Sequence, residues 1–221
     1  MLIIGLAQQK GGVGKSTTAI NLATTAEAAG VRAAILDMDH QQGTCTNWAN
    51  RRKERHKLET PVVLKPLPVR LEATLEQLRK QGIQVVFIDL PGKSAPIVGI
   101  GLQHAHLVLI PSRPKAGDLE ASLDPARTGV SMGKPYCYLM NIIPSSPFST
   151  RAEQVAKALR EAGHDVATQP IVQRMSIADA TSAGLGVNEM GGDDNATKEF
   201  AALVAWIVTK AKELGHEQAV A

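Results

Sequence analysis

The stretch "QQKGGVGKST", Gln8 to Thr17, decides the fold. It follows the aliphatic run "LIIGLA" (2–7) and precedes "TAINLATTAEAAG" (18–30), so a glycine-rich loop lies between a predicted strand and a predicted helix. In that context the pattern G-x-x-x-x-G-K-[ST] forms a phosphate-binding loop. Gly11, Gly12 and Gly14 permit positive φ and close backbone approach, so that successive N–H groups can face phosphate at the helix N-terminus. Lys15 supplies a point charge and the Ser16 hydroxyl a ligand for Mg²⁺, which makes Gly11, Gly12, Val13, Gly14, Lys15, Ser16 and Thr17 the expected nucleotide-binding set. Two features depart from the pattern. Gln9 stands where the first glycine belongs, and Lys10 adds a second cation five residues before Lys15.

Working outward, short apolar runs alternate with helix-length segments. Strands are predicted at 2–7, 31–39, 85–91, 107–112 and 135–143, with a weaker one at 165–172. Near-continuous aliphatic strands imply burial on both faces, hence an α/β fold with a mostly parallel, doubly wound sheet flanked by helices. Helices are predicted over 16–29, 72–81, 118–130, 150–162 and 195–214, with Gly30, Gly82 and Gly163 closing three of them. Pro61, Pro66 and Pro68 make the stretch before Arg70 a connection rather than an element interior.

The chain has 221 residues, of which 44% are hydrophobic and 20% charged, enough for one sizeable core; a single P-loop NTPase domain over 1–221 is expected. Two Trp, two Tyr and three Phe do not suggest a base-stacking surface for single strands. A formal net charge of +3 permits polyanion contact without requiring it. Cys45 and Cys137 lie far apart without C-x-x-C spacing, which argues against a disulfide framework, a zinc site or an iron–sulfur site and makes a reducing cytoplasm the expected compartment. No signal-peptide pattern and no apolar run of about 20 residues is present.

Three acidic residues fall at predicted strand ends, where a doubly wound sheet places its ligands. "AILDMDHQ" carries Asp37 and Asp39, and "VVFIDLPG" carries Asp89. Four apolar residues followed by Asp is the Walker B pattern, in which the carboxylate approaches Mg²⁺ directly or through water. A lone Asp after a strand can equally cap a turn, but a phosphate loop in the same chain favours the metal reading of Asp89.

"KGGVGKST", "LDMDHQQG" and "FIDLPG" together resemble the deviant-Walker ATPases of the ParA/MinD family. The similarity extends to "PSRPKAGDLEA", to Asn141 and to "QPIVQRMSIADATSAG". In the ParA-like branch the second motif commonly reads D-x-D-P-Q; here His40 replaces the proline. The resemblance implies ATP and Mg²⁺ as cofactors, with Mg²⁺ near Ser16, Asp37 and Asp89. It implies that Lys10 matches the signature lysine, which reaches across an ATP-bound homodimer to the partner's phosphates. Such a cation supplied in trans couples hydrolysis to dimerisation, as an arginine finger does. Asp39 matches the carboxylate that positions the attacking water, so Lys10, Lys15 and Asp39 form the expected catalytic set. Asp37 supports the metal or the local structure, and Asn141 either contacts adenine or ends its strand.

Lys10 falls within ten residues of Met1, so no N-terminal helix-turn-helix extension is expected. The resemblance implies a slow ATPase that positions or segregates plasmid or chromosomal DNA. Its expected partners are nonspecific duplex DNA, giving nucleoid association when ATP-bound, and a ParB-like or other stimulating adaptor. Arg174 is the first candidate DNA contact, with Arg151, Lys198, Lys210 and Lys212 behind it; a local salt bridge is the alternative for Arg174. The run "RRKERHK" (51–57) is either a solvated helix face or a partner surface. A MinD-like membrane role needs an amphipathic tail, whereas Phe200, Leu203, Val204, Ile207 and Val208 fit packing against the domain and the segment beyond Leu214 lacks a basic face, so no stable membrane association is expected. Positioning of a protein cargo and phosphoryl transfer to a small molecule are the remaining alternatives.

Overall fold

Every strand pair in the sheet is parallel, as the aliphatic runs require. The computed structural model describes residues 1–93, 95–145 and 150–216. Its strands are β1 (Leu2–Leu6), β2 (Ala33–Asp37), β3 (Val62–Leu64), β4 (Val85–Asp89), β5 (Leu107–Ser112) and β6 (Tyr136–Met140). Their spatial order is β3-β2-β4-β1-β5-β6.

The helices are α1 (Lys15–Ala28), α2 (Thr44–His56), α3 (Leu71–Lys80), α4 (Ala95–His104), α5 (Ala116–Ser131), α6 (Arg151–Glu161), α7 (Met175–Ala183), α8 (Val187–Met190) and α9 (Asp194–Glu213). From β1 the chain moves outward through β2 to the β3 edge, then returns through β4 and proceeds to β6. Right-handed crossovers put helices made on the outward path on one face and those made on the return path on the other. The core divides accordingly. Leu2, Ile4 and Leu6 of β1 join α1, α2, α7 and α9, while Ile3 joins α3, α4, α5 and α6 on the opposite face.

α1 is buried along nearly its whole length, from Thr18 to Ala26, because α9, α8 and α7 cover the side turned away from the sheet. α9 presents Ala196, Phe200, Leu203, Ile207 and Ala211 to the interior, with Val204 and Val208 half-buried. Its apolar stripe is thus used in packing, where a side chain such as Phe200 contributes roughly 1.5–3 kcal/mol. The tail beyond Leu214 falls largely outside the described residues.

Two sequence expectations fail. The 165–172 segment is not a strand; it makes only isolated bridges, Tyr138 with Val166 and Ile143 with Val172. Its Pro170 has no N–H with which to continue a ladder. Conversely, the proline-bounded stretch contains β3, whose three residues lie between Pro61 and Pro66 at the sheet edge, a position that tolerates flanking prolines. Helices α4, α7 and α8 were not expected, and of α2 only the 51–57 run was offered as a helix face; α4, with mostly apolar residues, and the four-residue α8 offer little periodicity to read. Gly30, Gly82 and Gly163 do adopt left-handed φ of 80°, 76° and 84° after their helices. No helix among the described residues is long and apolar enough to cross a membrane.

Candidate nucleotide-binding site

The loops after β1, β2 and β4 converge on an open cavity of about 710 Å³ at the C-terminal edge of the sheet. Gly11 to Thr17 form one wall, Met38 to Gln42 with Thr44 another, and Pro91, Gly92, Lys93 and Ile97 the third. Gly12 and Gly14 have φ of 71° and 85°, and Gly14 is the N-cap of α1 without a capping side chain. The first turn of α1 therefore keeps backbone N–H groups available to an anion.

Lys15 Nζ donates to the Gln8 carbonyl at 3.0 Å, curling back over the loop that carries it. Burial holds its pKa below the ordinary lysine value, opposed by Asp89 and Asp39. Lys10 differs: it is exposed, and its ammonium makes no hydrogen bond or ion pair among the described residues. Gln8 and Gln9 anchor this end of the loop. Gln8 is buried and its amide donates to Ser112 Oγ at 3.0 Å and to the Asp118 carbonyl at 3.2 Å; Gln9 donates to Asp124 at 2.8 Å. Gln9 thus occupies the first glycine position with a structural bond of its own.

Asp37 and Asp89 end neighbouring strands in direct register. Asp37 Oδ2 accepts from Thr46 N at 2.9 Å and Thr46 Oγ1 at 2.8 Å, and Asp89 Oδ2 accepts from Cys45 Sγ at 3.4 Å. Both Oδ1 atoms are buried without a hydrogen-bond partner among the described residues. Burial raises Asp89 to about 6, with the Ser16 hydroxyl opposing and Asp37 adding to the shift. Two buried carboxylate oxygens without partners among the described residues, with Ser16 next to Asp89, suit Mg²⁺, which takes oxygen ligands and usually binds through one or two carboxylates, substrate phosphates and water; neither aspartate is itself among the residues lining the cavity. Asp39 lines the cavity but is less buried; its Oδ1 accepts from Gln41 N and Gln42 N at 3.2 and 3.0 Å.

Asn141 is buried at the end of β6, and its Nδ2 donates to the Val13 carbonyl at 2.7 Å and to Thr18 Oγ1 at 3.3 Å. Its amide hydrogens are directed at the phosphate loop. It borders a second cavity of about 220 Å³, continuous in sequence with the first through Gly14 and Thr17 and lined also by Ile142, Gln173, Met175 and Phe200.

Residues that sequence reasoning passed over include Gln8, Thr46 and Gly92. A Cβ on Gly92 would lie 2.8 Å from the Gln9 carbonyl, so the loop after β4 can close on the phosphate loop only with glycine there. The quoted "FIDLPG" held that signal. The basic run 51–57 is in part the solvated helix face expected, with residues 53–57 exposed at the end of α2, while its first two arginines are engaged by the protein. Arg52 turns inward, bridges Glu189 with bonds of 2.7 and 2.6 Å and lies 5.1 Å from the Trp48 ring centroid. Arg51 and His56 bond the carbonyls of Thr181 and Ala183 at the end of α7. Arg174 is forked onto Glu199 at 2.6 and 2.7 Å, with Asp193 3.6 Å away, which is the local-salt-bridge arrangement. Arg151 bonds the Pro114 carbonyl and Lys210 pairs with Asp165 and Glu213, whereas Lys198 and Lys212 are exposed.

Comparisons agree with this geometry. The profile of the CobQ/CobB/MinD/ParA nucleotide binding domain (CbiA) matches residues 4–219. Protein ParA of Rhizobium radiobacter is 37% identical over 121 residues, covering 53% of this chain and 51% of that protein, so the match spans about half of that relative. The chromosome-partitioning ATPase Soj of Thermus thermophilus is 30% identical over 215 residues, covering 82% of this chain and 85% of its own length. Among solved structures, the septum site-determining protein MinD of Pyrococcus horikoshii, complexed with Mg-ADP, superposes with a TM-score of 0.75 at 16% identity, covering 96% of this chain and 98% of that one, a likeness of fold. With a phosphate loop on β1, paired strand-end carboxylates and a family match across nearly its whole length, the chain belongs to the CobQ/CobB/MinD/ParA nucleotide-binding family.

Proposed function

We propose that this chain is a ParA-like ATPase that works as a dimer switch on DNA. ATP–Mg²⁺ drives pairing of two copies, the pair binds duplex DNA without sequence preference, and slow hydrolysis, stimulated by a ParB-like or other adaptor, returns it to a free monomer. The observation that carries this reading is the contrast between the two lysines of one loop. Lys15 curls over its own loop, while Lys10 stands exposed with no partner among the described residues. A cation so placed is available to a nucleotide held by a second copy.

In this reading the phosphates lie along Gly11 to Thr17 and the nucleoside enters the smaller cavity beside Asn141. Ser16, Asp37 and Asp89 would hold Mg²⁺, which would supply charge neutralisation for the nucleotide's phosphates. Lys15 binds the phosphates of its own nucleotide. Asp39 orients the attacking water by accepting a hydrogen bond from it, and Lys10 from the partner copy stabilises charge on the transferring phosphoryl group. The relative named as a chromosome-partitioning ATPase supports the DNA cargo, and α9 uses its apolar stripe in packing against the domain. Exposed Lys198 and Lys212 are better placed than Arg174 to meet DNA phosphates, whose contacts weaken with salt.

The test compares ATP with ADP. Size-exclusion light scattering and binding to arbitrary duplex DNA at two salt concentrations should give a dimer and salt-sensitive binding with ATP alone. A monomer in both nucleotides, or DNA binding indifferent to nucleotide, would contradict the reading. Liposome recruitment in the absence of DNA binding would replace it with a membrane-positioning role.

A further inference from the structure

The segments that follow β2 and β3 meet because these strands are parallel neighbours, paired Leu36 with Leu64, and so end at the same edge. Two hydrogen bonds join the segments in opposite directions. His40 Nε2 lies 3.1 Å from the Pro66 carbonyl, which can only accept, so this nitrogen carries a proton and donates. Lys65 Nζ donates back to the His40 carbonyl at 3.3 Å. Pro66 is buried, which gives the histidine a fixed acceptor, and Lys65 is exposed.

The same lysine lies over the end of the loop. A Cβ on Gly43 would be 3.1 Å from Lys65 Nζ, and Gly43 has a left-handed φ of 57°. Gly43 N donates to the Asp39 carbonyl at 2.8 Å, and Asp39 Oδ1 gathers the N–H groups of Gln41 and Gln42. The Asp39–Gly43 loop is therefore folded around its own aspartate and pinned from outside at His40.

We propose that His40 and Lys65 form a two-way clasp that sets where the Asp39 loop sits over the nucleotide cavity, making His40 a positioning residue for hydrolysis. The proposal rests on the reading of Asp39 as the water-orienting carboxylate. The contact depends on a side chain with a donor at this position, as the imidazole of His40 provides. The clasp makes the segment after β3 the place from which turnover is tuned, since any displacement of Pro66 is transmitted to the residue next to Asp39.

The experiment measures kcat and KM for ATP on the full chain with Mg²⁺, together with melting temperature. His40→Ala should lower kcat about tenfold, the scale expected when a reacting group is displaced by a fraction of an ångström, with KM changed by less than about twofold. His40→Gln, whose amide nitrogen reaches about as far as Nε2, should recover at least about half of the wild-type rate. Lys65→Met, at an exposed position, should reduce kcat in part and stands in if His40→Ala does not fold. Wild-type kcat in both His40→Ala and Lys65→Met, with Asp39→Ala inactive, overturns the clasp and leaves the Asp39 assignment standing. Wild-type turnover in Asp39→Ala removes the assignment on which the clasp depends. A change confined to KM, or failure of His40→Gln to recover the rate, likewise overturns it.

Discussion

Asp37 and Asp89 are cross-strand partners at the ends of β2 and β4, and each holds Oδ2 in a hydrogen bond while Oδ1 stays buried and without a partner among the described residues. Two like charges set side by side in a buried place resist joint ionisation, so one carboxyl retains its proton to higher pH. A divalent cation relieves both the repulsion and the missing bonds.

Asp89 sets a pH dependence whose sign follows from its raised pKa of about 6. Between about pH 4 and pH 6 the folded, nucleotide-free protein keeps a proton that an unfolded Asp, with a pKa near ~3.9, has released. This contribution to stability is complete at low pH, falls as pH rises through that window, and is level above it. The loss attributable to Asp89 is at most about 3 kcal/mol. Urea melts from pH 4.5 to 7.5 should show Asp89→Asn gaining on the wild type as pH rises, and Mg²⁺ affinity of the wild type should weaken below about pH 6. Parallel stability profiles for the two proteins would mean that Asp89 titrates as an ordinary carboxyl.

Asn141 secures the phosphate loop to β6 through the Val13 carbonyl and Thr18. Asn141→Ala leaves a buried carbonyl without its donor, a loss of about 1–3 kcal/mol. ADP affinity measured by calorimetry should fall about tenfold in step. Gly14→Ala should be worse on both measures, because its φ is 85° and a Cβ would lie 2.6 Å from Asn141 Nδ2. Unchanged ADP affinity in Asn141→Ala would show that the loop holds its shape without this staple.

Lys10→Ala should leave ADP binding and melting temperature within error of the wild type, since the side chain is exposed and has no partner among the described residues. Adaptor-stimulated hydrolysis should fall by about 10³-fold, the usual worth of a cation supplied in trans. Lys15→Ala should instead weaken nucleotide binding itself. Equal loss of ADP affinity in both variants would remove the distinction drawn between the two lysines.

Arg174 and Glu199 form a pair with side chains 21% and 13% exposed, and Glu199 also accepts from Val172 N at 3.1 Å. Removing either partner leaves a half-buried charge. Arg174→Ala and Glu199→Ala should each lower stability by about 1–3 kcal/mol, with the double variant less destabilised than the sum. At a temperature where all are folded, DNA affinity should drop more for Lys198→Ala combined with Lys212→Ala than for Arg174→Ala. The reverse order would return the DNA contact to Arg174.

Much of this site was legible in one dimension because its chemistry is local. "KGGVGKST" contains its own turn glycines and cations, and aliphatic strands ending in Asp declare both the sheet and its ligand edge. The strand at 62–64 was not legible, since three residues between prolines have no periodicity and their place is set by pairing with β2 and by packing of Val62, Val63 and Leu64 against the core. Nor was the inward turn of Arg52, which depends on Glu189 lying 137 positions away.

The sequence by itself determined that a phosphate loop opens a parallel α/β domain, because glycine conformational freedom and unbroken apolar runs act over a few residues. Only the tertiary structure decided which polar groups remain free. Gln9, Asn141, Arg151, Arg174 and, in the basic run, Arg51 and Arg52 are engaged by partners distant in sequence, while Lys10 and one oxygen each of Asp37 and Asp89 are left without them among the described residues. Whether a polar group is satisfied depends on what the fold brings within hydrogen-bond reach, and that distance is set by packing between segments.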